Sequence, residues 1–279
     1  MIKDFQFKKH YGQNFLRSEE YLDKFIEVIS PNINDLIIEI GPGDGALTKK
    51  LLDKMARVIA IEVDSDLITH LNESFDKNFT VINSNVLELD FQSLLETHSH
   101  EKNQTLKIVG SLPYNISKPI IRTFFDQLEN LKYKQLNFLI QKEVAEDYTI
   151  HPPKAKFLYN FARTFGEIKY NFTVPKKYFH PAPKVDGGVI TFIPNSYFEG
   201  DINKYFSLQT PVEKKEFIKL LKQAYMNPRK TIFNNLKHLS IKEGEYKNIG
   251  INQYSRASEL DIGTWVKLFE IILNKLKHD

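Results

Sequence analysis

From residue 36 onward, short apolar runs alternate with amphipathic stretches. "LIIEIG" (36–41), "RVIAIEVD" (57–64), "FTVINSNV" (79–86), "LKIVGSL" (106–112) and "QLNFLIQK" (135–142) read as buried strands. Between them, "GALTKKLLDKM", "SDLITHLNESF" and "SKPIIRTFFDQL" place apolar residues at three- and four-residue spacing, as helices with one packed face do. This alternation predicts an α/β fold with a mostly parallel twisted sheet and helices on both faces. After residue 142, "FARTFGEIKYNFTV" and "GGVITFIP" read as two more strands around the proline-rich "PKKYFHPAPKVDGG", finishing the sheet as an antiparallel hairpin. From about residue 200 strand signals fade, and "PVEKKEFIKLLKQAYMN", "PRKTIFNNLKHL" and "IGTWVKLFEIILNKL" read as helices, with Asn227 and Pro228 as N-cap and first turn of the second. The pattern therefore predicts a larger α/β domain over 1–198 and a small C-terminal α-helical domain over 199–279, divided near "PNSYFEGD".

Composition narrows the chemistry. The 279 residues are 42% hydrophobic and 26% charged, ordinary for a globular protein with a full core. No cysteine is present, which excludes disulfides, thiolate metal sites and cysteine nucleophiles and suits a reducing, cytoplasmic setting. The eight histidines show no ligand spacing such as H-E-x-x-H, so no metal site is expected. The start of the sequence has no run long enough for a signal peptide, and no segment approaches the roughly 20 apolar residues of a membrane span; a soluble protein is expected. Charge is uneven: residues 201–279 carry 14 Lys+Arg against 9 Asp+Glu, while the rest of the chain is slightly acidic. A basic module behind a near-neutral one suits a polyanion partner, with Lys8, Lys9, Arg17, Arg229 and Lys230 as candidate contacts.

"LIIEIGPGDGALTKKLL" is a strand, a glycine turn and a helix in the order that builds nucleotide sites in doubly wound sheets. Gly41, Gly43 and Gly45 follow G-x-G-x-G rather than the G-x-G-x-x-G of dinucleotide sites, which argues for a ligand without pyrophosphate. Glu62 ends the next strand, about 20 residues on, where a carboxylate accepts bonds from ribose hydroxyls. With the third strand tip at "SNV", these features describe an adenosyl site. Asp64 reads as a helix cap or a surface charge.

In "SLPY" (111–114), Pro113 forces Leu112 into an extended conformation at a strand tip. The Leu112 carbonyl and the Ser111 hydroxyl become acceptors beside the aromatic face of Tyr114, a set that suits the exocyclic amine of a flat base. Such an amine is a poor nucleophile because its lone pair is delocalised, and acceptors on its hydrogens favour a more pyramidal nitrogen. Stacking on Tyr114 would hold that nitrogen in line with a methyl donor.

The chain resembles the ribosomal RNA adenine N6,N6-dimethyltransferases, in the motifs "GQNFL", "IEIGPGDGALT", "IEVD", "SLPYNIS", "QKEVAED" and "FHPAPKVDGGV", and in "NPRKTIFNNL" and "RASELDIGTW" in the tail. It is most similar to the small-subunit, kasugamycin-resistance branch. The resemblance implies a Rossmann-like class I methyltransferase that uses S-adenosylmethionine to dimethylate two adjacent adenosines in a hairpin loop near the 3′ end of small-subunit rRNA, on the immature 30S particle, as a monomer. It implies that Asn14 and Leu16 close over the cofactor, that Gly41 contacts its amino-acid end, that Glu62 binds the ribose, that Asn85 takes the cofactor's adenine amine and that Gly43 and Ser111 also belong to the cofactor site. Ser111, Leu112 and Tyr114 position the target amine, and Phe179 is a second stacking surface for a base flipped out of its stack. Where this chain has Ser111, Asn85, Gly187 and Pro228, the family usually has Asn, Asp, Ser and Arg. These departures keep a second reading in view, a noncatalytic RNA-binding assembly factor that retains the fold.

Overall fold

The computed structural model describes residues 12–98, 104–127, 131–195 and 210–276. It comprises nine strands: β1 (Phe15–Leu16), β2 (Asp35–Ile40), β3 (Arg57–Glu62), β4 (Phe79–Asn83), β5 (Thr105–Ser111), β6 (Gln135–Gln141), β7 (Gly166–Val174), β8 (Phe179–His180) and β9 (Gly187–Pro194). The α-helices are α1 (Glu19–Ile29), α2 (Ala46–Asp53), α3 (Ser65–Ser74), α4 (Phe91–His98), α5 (Ser117–Gln127), α6 (Lys142–Thr149), α7 (Phe157–Arg163), α8 (Pro211–Ala224), α9 (Ile232–Asn235), α10 (Glu243–Asn248) and α11 (Ile262–Leu276). Cα proximity separates two compact units, Met1–Ala145 with Lys169–Pro194, and Glu146–Ile168 with Asn195–Asp279. The pattern of strands and helices along the sequence assigned Glu146–Ile168 to the larger domain. Among the described residues, no helix is long and apolar enough to cross a membrane.

In the first unit seven strands form a sheet in the order β4-β3-β2-β5-β6-β9-β7. Strands β4, β3, β2, β5 and β6 pair in parallel, and β9 runs antiparallel to β6 with Gln141 opposite Gly187. Every residue of β2 is buried, as a central parallel strand with both faces covered requires. Helix α1 turns Leu22, Phe25, Ile26 and Ile29 inward at helical spacing, and each such side chain contributes about 1.5–3 kcal/mol on burial. Its last carbonyls, Ile29 and Ser30, accept from Lys107 Nζ at 3.1 and 2.7 Å, and Lys107 also pairs with Asp35 Oδ2 at 2.7 Å. A buried cation thereby serves as the C-terminal cap.

Two local expectations change. "FARTFGEIKYNFTV" is not one strand: Phe161–Arg163 end α7, and β7 begins only at Gly166. Asn227 and Pro228 do not start a helix; Lys230 N–H donates to Asn227 O in a turn, and α9 begins at Ile232 behind Thr231. Proline's fixed φ serves a turn as well as a first helical position, and the sequence does not separate the two. In the second unit Phe217, Leu221, Ile232, Tyr246, Trp265 and Phe269 pack into one core. Helix α8 starts with a reciprocal capping box between Thr210 and Glu213.

Candidate active site

Strand order reverses between β2 and β5, the point where an open α/β sheet leaves a crevice at its carboxyl edge. A cavity with about 1080 Å³ of empty volume, part of it open to solvent, lies there. It is lined by the ends of β2 (Glu39, Ile40, Gly41), β3 (Ile61, Glu62) and β5 (Ser111, Leu112), by the turn after β4 (Ser84, Asn85, Val86), and by Pro113, Tyr114 and Asn14–Leu16. Eight of the residues expected to form the site therefore share one cavity: Asn14, Leu16, Gly41, Glu62, Asn85, Ser111, Leu112 and Tyr114. Gly43 and Phe179, also expected in the site, are not in that lining; Gly43 N–H donates to Glu62 and Phe179 stands edge-on to Tyr114.

The glycine turn is left-handed at Gly41 (φ 65°), Gly43 (φ 60°) and Gly45 (φ 85°), a path side chains resist. Glu62 ties this turn to the end of β3. Its Oε1 accepts from the Val63 and Asp64 N–H groups at 2.9 Å each, and its Oε2 accepts a long 3.4 Å bond from Gly43 N–H. With two acceptor positions per oxygen, Oε1 is saturated and Oε2 keeps capacity for a ligand hydroxyl. Burial raises the Glu62 pKa and these three amides oppose that shift. Asp64 is fully buried rather than a surface charge; its Oδ1 accepts from Asp66 N–H at 3.2 Å and caps α3.

Glu39 is a site residue that motif reading missed. It is 1% exposed in the middle of an apolar strand and lines the cavity. Thr48 Oγ1 on α2 donates to its Oε2 at 2.6 Å. Burial raises its pKa to about 7 against the Thr48 bond, with the nearby Glu62 adding to the rise. The available signal was an acid inside an otherwise apolar run, which a strand keeps only where it has a partner or a task.

Asn85 stands at the cavity wall with its amide already engaged: Oδ1 accepts from Leu87 N–H at 3.1 Å, and Nδ2 donates to Glu88 Oε1 at 2.7 Å. The turn is fixed, and Oδ1 keeps one acceptor position for a ligand amine. Leu112 is 2% exposed, and its N–H donates to Leu139 O at 2.9 Å, which anchors the "SLPY" turn to β6. Tyr114 lines the cavity while its hydroxyl is buried and makes no hydrogen bond. Burial, assisted by Asp186, keeps the phenol protonated far above neutral pH, so Tyr114 offers a neutral ring rather than a base. Phe179 is 4% exposed and stands edge-on to Tyr114, with centroids 6.4 Å apart and planes at 68°.

The stretch from Gly12 to Arg17, whose first five residues line the cavity, is strapped to the rest of its unit. Phe15 and Leu16 pair with His180 and Phe179 as β1 and β8. Gln13 Nε2 donates to Asp64 Oδ2 at 2.7 Å, and Arg17 pairs with Asp44 of the glycine turn while lying over the Phe15 ring. Arg17, a candidate RNA contact by sequence, makes an ion pair within the protein. Arg229 and Lys230 are exposed in the turn before α9, and Lys8 and Lys9 lie outside the described residues.

The family described as "Ribosomal RNA adenine dimethylase" matches residues 4–274. "Ribosomal RNA small subunit methyltransferase A" of Mycoplasma mycoides is 35% identical over 274 residues, covering 95% of this chain and 97% of that protein. The protein of the same name from Fusobacterium nucleatum is 33% identical over 276 residues, covering 96% and 98%. Among solved structures, a dimethyladenosine transferase from Plasmodium falciparum superposes with a TM-score of 0.71 at 24% identity over 94% of this chain and 98% of its own. The 23S rRNA methyltransferase ErmE does so with 0.72 at 20% identity over 93% and 99%. These likenesses establish the class I methyltransferase fold, and the full-length match establishes the lineage: the chain belongs to the ribosomal RNA adenine dimethylase family.

Proposed function

We propose that this enzyme transfers methyl groups from S-adenosylmethionine to the exocyclic amines of two adjacent adenosines in a hairpin loop near the 3′ end of small-subunit rRNA, on the immature 30S particle, as a cytoplasmic monomer. The observation that carries this reading is the meeting of the glycine turn, Glu62 and the "SLPY" turn in one cavity of a chain that matches its family from residue 4 to residue 274.

The residues present suit the cofactor. Oε2 of Glu62 has capacity for a ribose hydroxyl, Asn85 Oδ1 for an adenine amine, and the backbone at Gly41 leaves room for the amino-acid end, with Gly43 held behind it by Glu62. The sulfonium supplies an electrophilic methyl group. Glu39 and Glu62 place two carboxyl groups in the wall that would face its positive charge. Ser111 and the Leu112 carbonyl accept the hydrogens of the target amine and so draw its lone pair out of the ring. Tyr114 stacks on the base and holds the nitrogen in place, while Phe179 braces Tyr114 from behind. The strap from Asn14 to Leu16 excludes water, and the proton lost from the alkylated nitrogen is acidic enough to need no strong base.

Incubating the enzyme with immature small subunits and methyl-labelled S-adenosylmethionine, then mapping modified nucleotides by primer extension, tests the proposal. Two adjacent dimethyladenosines are expected. Binding without label would leave the noncatalytic reading in its place.

A further inference from the structure

Asp64 stands where two segments far apart in the chain meet. Its side chain is fully buried, and its Oδ1 accepts from Asp66 N–H at 3.2 Å to open α3. Its Oδ2 accepts from Gln13 Nε2 at 2.7 Å, a bond across 51 positions of sequence that brings the strap to the end of β3. Its own backbone N–H donates to Glu62 Oε1 at 2.9 Å. Asn14 and Leu16 follow Gln13 closely in the chain, and all three line the cavity. The strap's tie at Arg17 is built in the same way: its partner Asp44 follows Gly43, whose N–H donates to Glu62 Oε2. Glu62 therefore sits between the two acids that hold the strap, bonded to the backbone of each turn. Capping α3 takes one carboxylate oxygen and is compatible with an exposed side chain, so it accounts for neither Oδ2 nor the burial of Asp64. A buried carboxylate is kept where it is hydrogen-bonded, and the Gln13 amide supplies a charge-assisted bond.

We infer that Asp64 is a positioning residue for the cofactor: it holds the strap through Gln13 and the ribose acceptor Glu62 through its backbone, and so keeps the two in one fixed relation. Asn14 and Leu16 are held against a cofactor whose ribose Glu62 grips, and neither side moves alone. Breaking the Gln13 bond frees the strap residues and takes a donor from Oδ2. The turn that must shift to find another donor is the one bonded to Glu62. The inference rests on the cofactor roles proposed for Glu62, Asn14 and Leu16, and it gives a part to Gln13 and Asp64 beyond the capping of α3.

The test reverses the direction of the bond in the full-length protein, with S-adenosylmethionine binding measured by calorimetry and folding by thermal unfolding. Gln13→Glu sets two carboxylates against each other and should weaken binding roughly tenfold or more, the worth of a hydrogen bond to a buried charge. Asp64→Asn keeps an oxygen for Asp66 N–H and turns an N–H toward Gln13, whose amide rotates to accept it. In the double variant Gln13→Glu/Asp64→Asn, the new carboxylate accepts from the new amide, and Kd should return to within about threefold of Asp64→Asn alone. A cap with no part in positioning predicts that Gln13→Glu leaves Kd unchanged, or that the double variant binds no better than Gln13→Glu; either result overturns the inference. Should Gln13→Glu alone fail to fold, a double variant that folds and binds supports the inference, and one that does not overturns it. Glu62→Ala, measured alongside, separates this inference from the reading beneath it. Unchanged binding in Glu62→Ala overturns the ribose assignment and the inference with it. Binding weakened by Glu62→Ala and untouched by Gln13→Glu overturns the inference alone.

Discussion

Phe179 presents its edge to the Tyr114 ring, the planes at 68° and the centroids 6.4 Å apart, and itself lies 4% exposed between β1 and the sheet. Two rings that sandwich a base face each other across it, and these two stand edge to face; the proposed reading therefore keeps the base on Tyr114 and turns Phe179, expected as a second stacking surface, into a support for that ring. Tyr114→Ala should therefore lower single-turnover transfer by roughly 10–100-fold, the worth of one stacked base, with little change in S-adenosylmethionine affinity. Phe179→Ala should instead cost about 3–5 kcal/mol of stability, read as a lowered denaturation midpoint. Equal losses of rate and cofactor affinity in Tyr114→Ala would contradict the stacking role.

Glu62 holds three backbone N–H groups as well as facing the cavity. Removing its carboxylate both loosens the glycine turn and takes away the ribose acceptor. Glu62→Ala is expected to weaken S-adenosylmethionine binding at least tenfold by calorimetry, while kcat at saturating cofactor falls much less.

Glu39 makes stability and binding depend on pH in opposite senses. Its folded pKa, about 7, lies above the ordinary 4.5, so between those values the folded chain keeps a proton that the unfolded chain has released. This group's contribution to stability consequently falls as pH rises from about 4.5 to about 7 and then levels off. Glu39→Gln should flatten that part of the Tm–pH curve. A cationic cofactor favours the ionised form, so binding at pH 6.5 should release a proton, seen calorimetrically in buffers of different ionisation enthalpy. The release should vanish in Glu39→Gln.

Arg17 and Asp44 join the strap to the glycine turn, with the Arg17 side chain 28% exposed. A partly exposed pair contributes at most about 1 kcal/mol to stability, so its chief effect is expected on exchange through the cavity mouth. Arg17→Ala should speed S-adenosylhomocysteine release several-fold in stopped-flow measurements, with Tm shifted by only a few degrees. An unchanged release rate would remove the latch from the account.

Lys107 and Asp35 are each 1% exposed, at the opposite end of the sheet from the cavity. Lys107→Met leaves Asp35 and the α1 carbonyls without their cation and should cost about 3–5 kcal/mol by urea denaturation. Replacing Asp35 with Leu at the same time should recover part of that loss, since the stranded charge goes too.

Much of the site was legible because its residues act through local sequence. The glycine turn needs three left-handed positions, Glu62 must end a strand, and Pro113 must follow an extended Leu112, so each leaves a short signature. Glu39 left a weaker one. An acid within "LIIEI" takes its meaning from Thr48 on the next helix. The sequence showed that Phe179 sits in a proline-rich loop, and not that Leu16 pairs with it.

Apolar spacing by itself determined most of the strands and helices and their alternation, because periods of two and of three to four residues are properties of neighbouring positions. Separate motifs of three to eight residues carried the expectation of an adenosyl site. Only the tertiary structure paired Arg17 with Asp44, grouped Glu146–Ile168 with the tail and set Phe179 edge-on to Tyr114. Those outcomes depend on contacts between segments far apart in the chain, where close packing and the desolvation of charges select one partner among many.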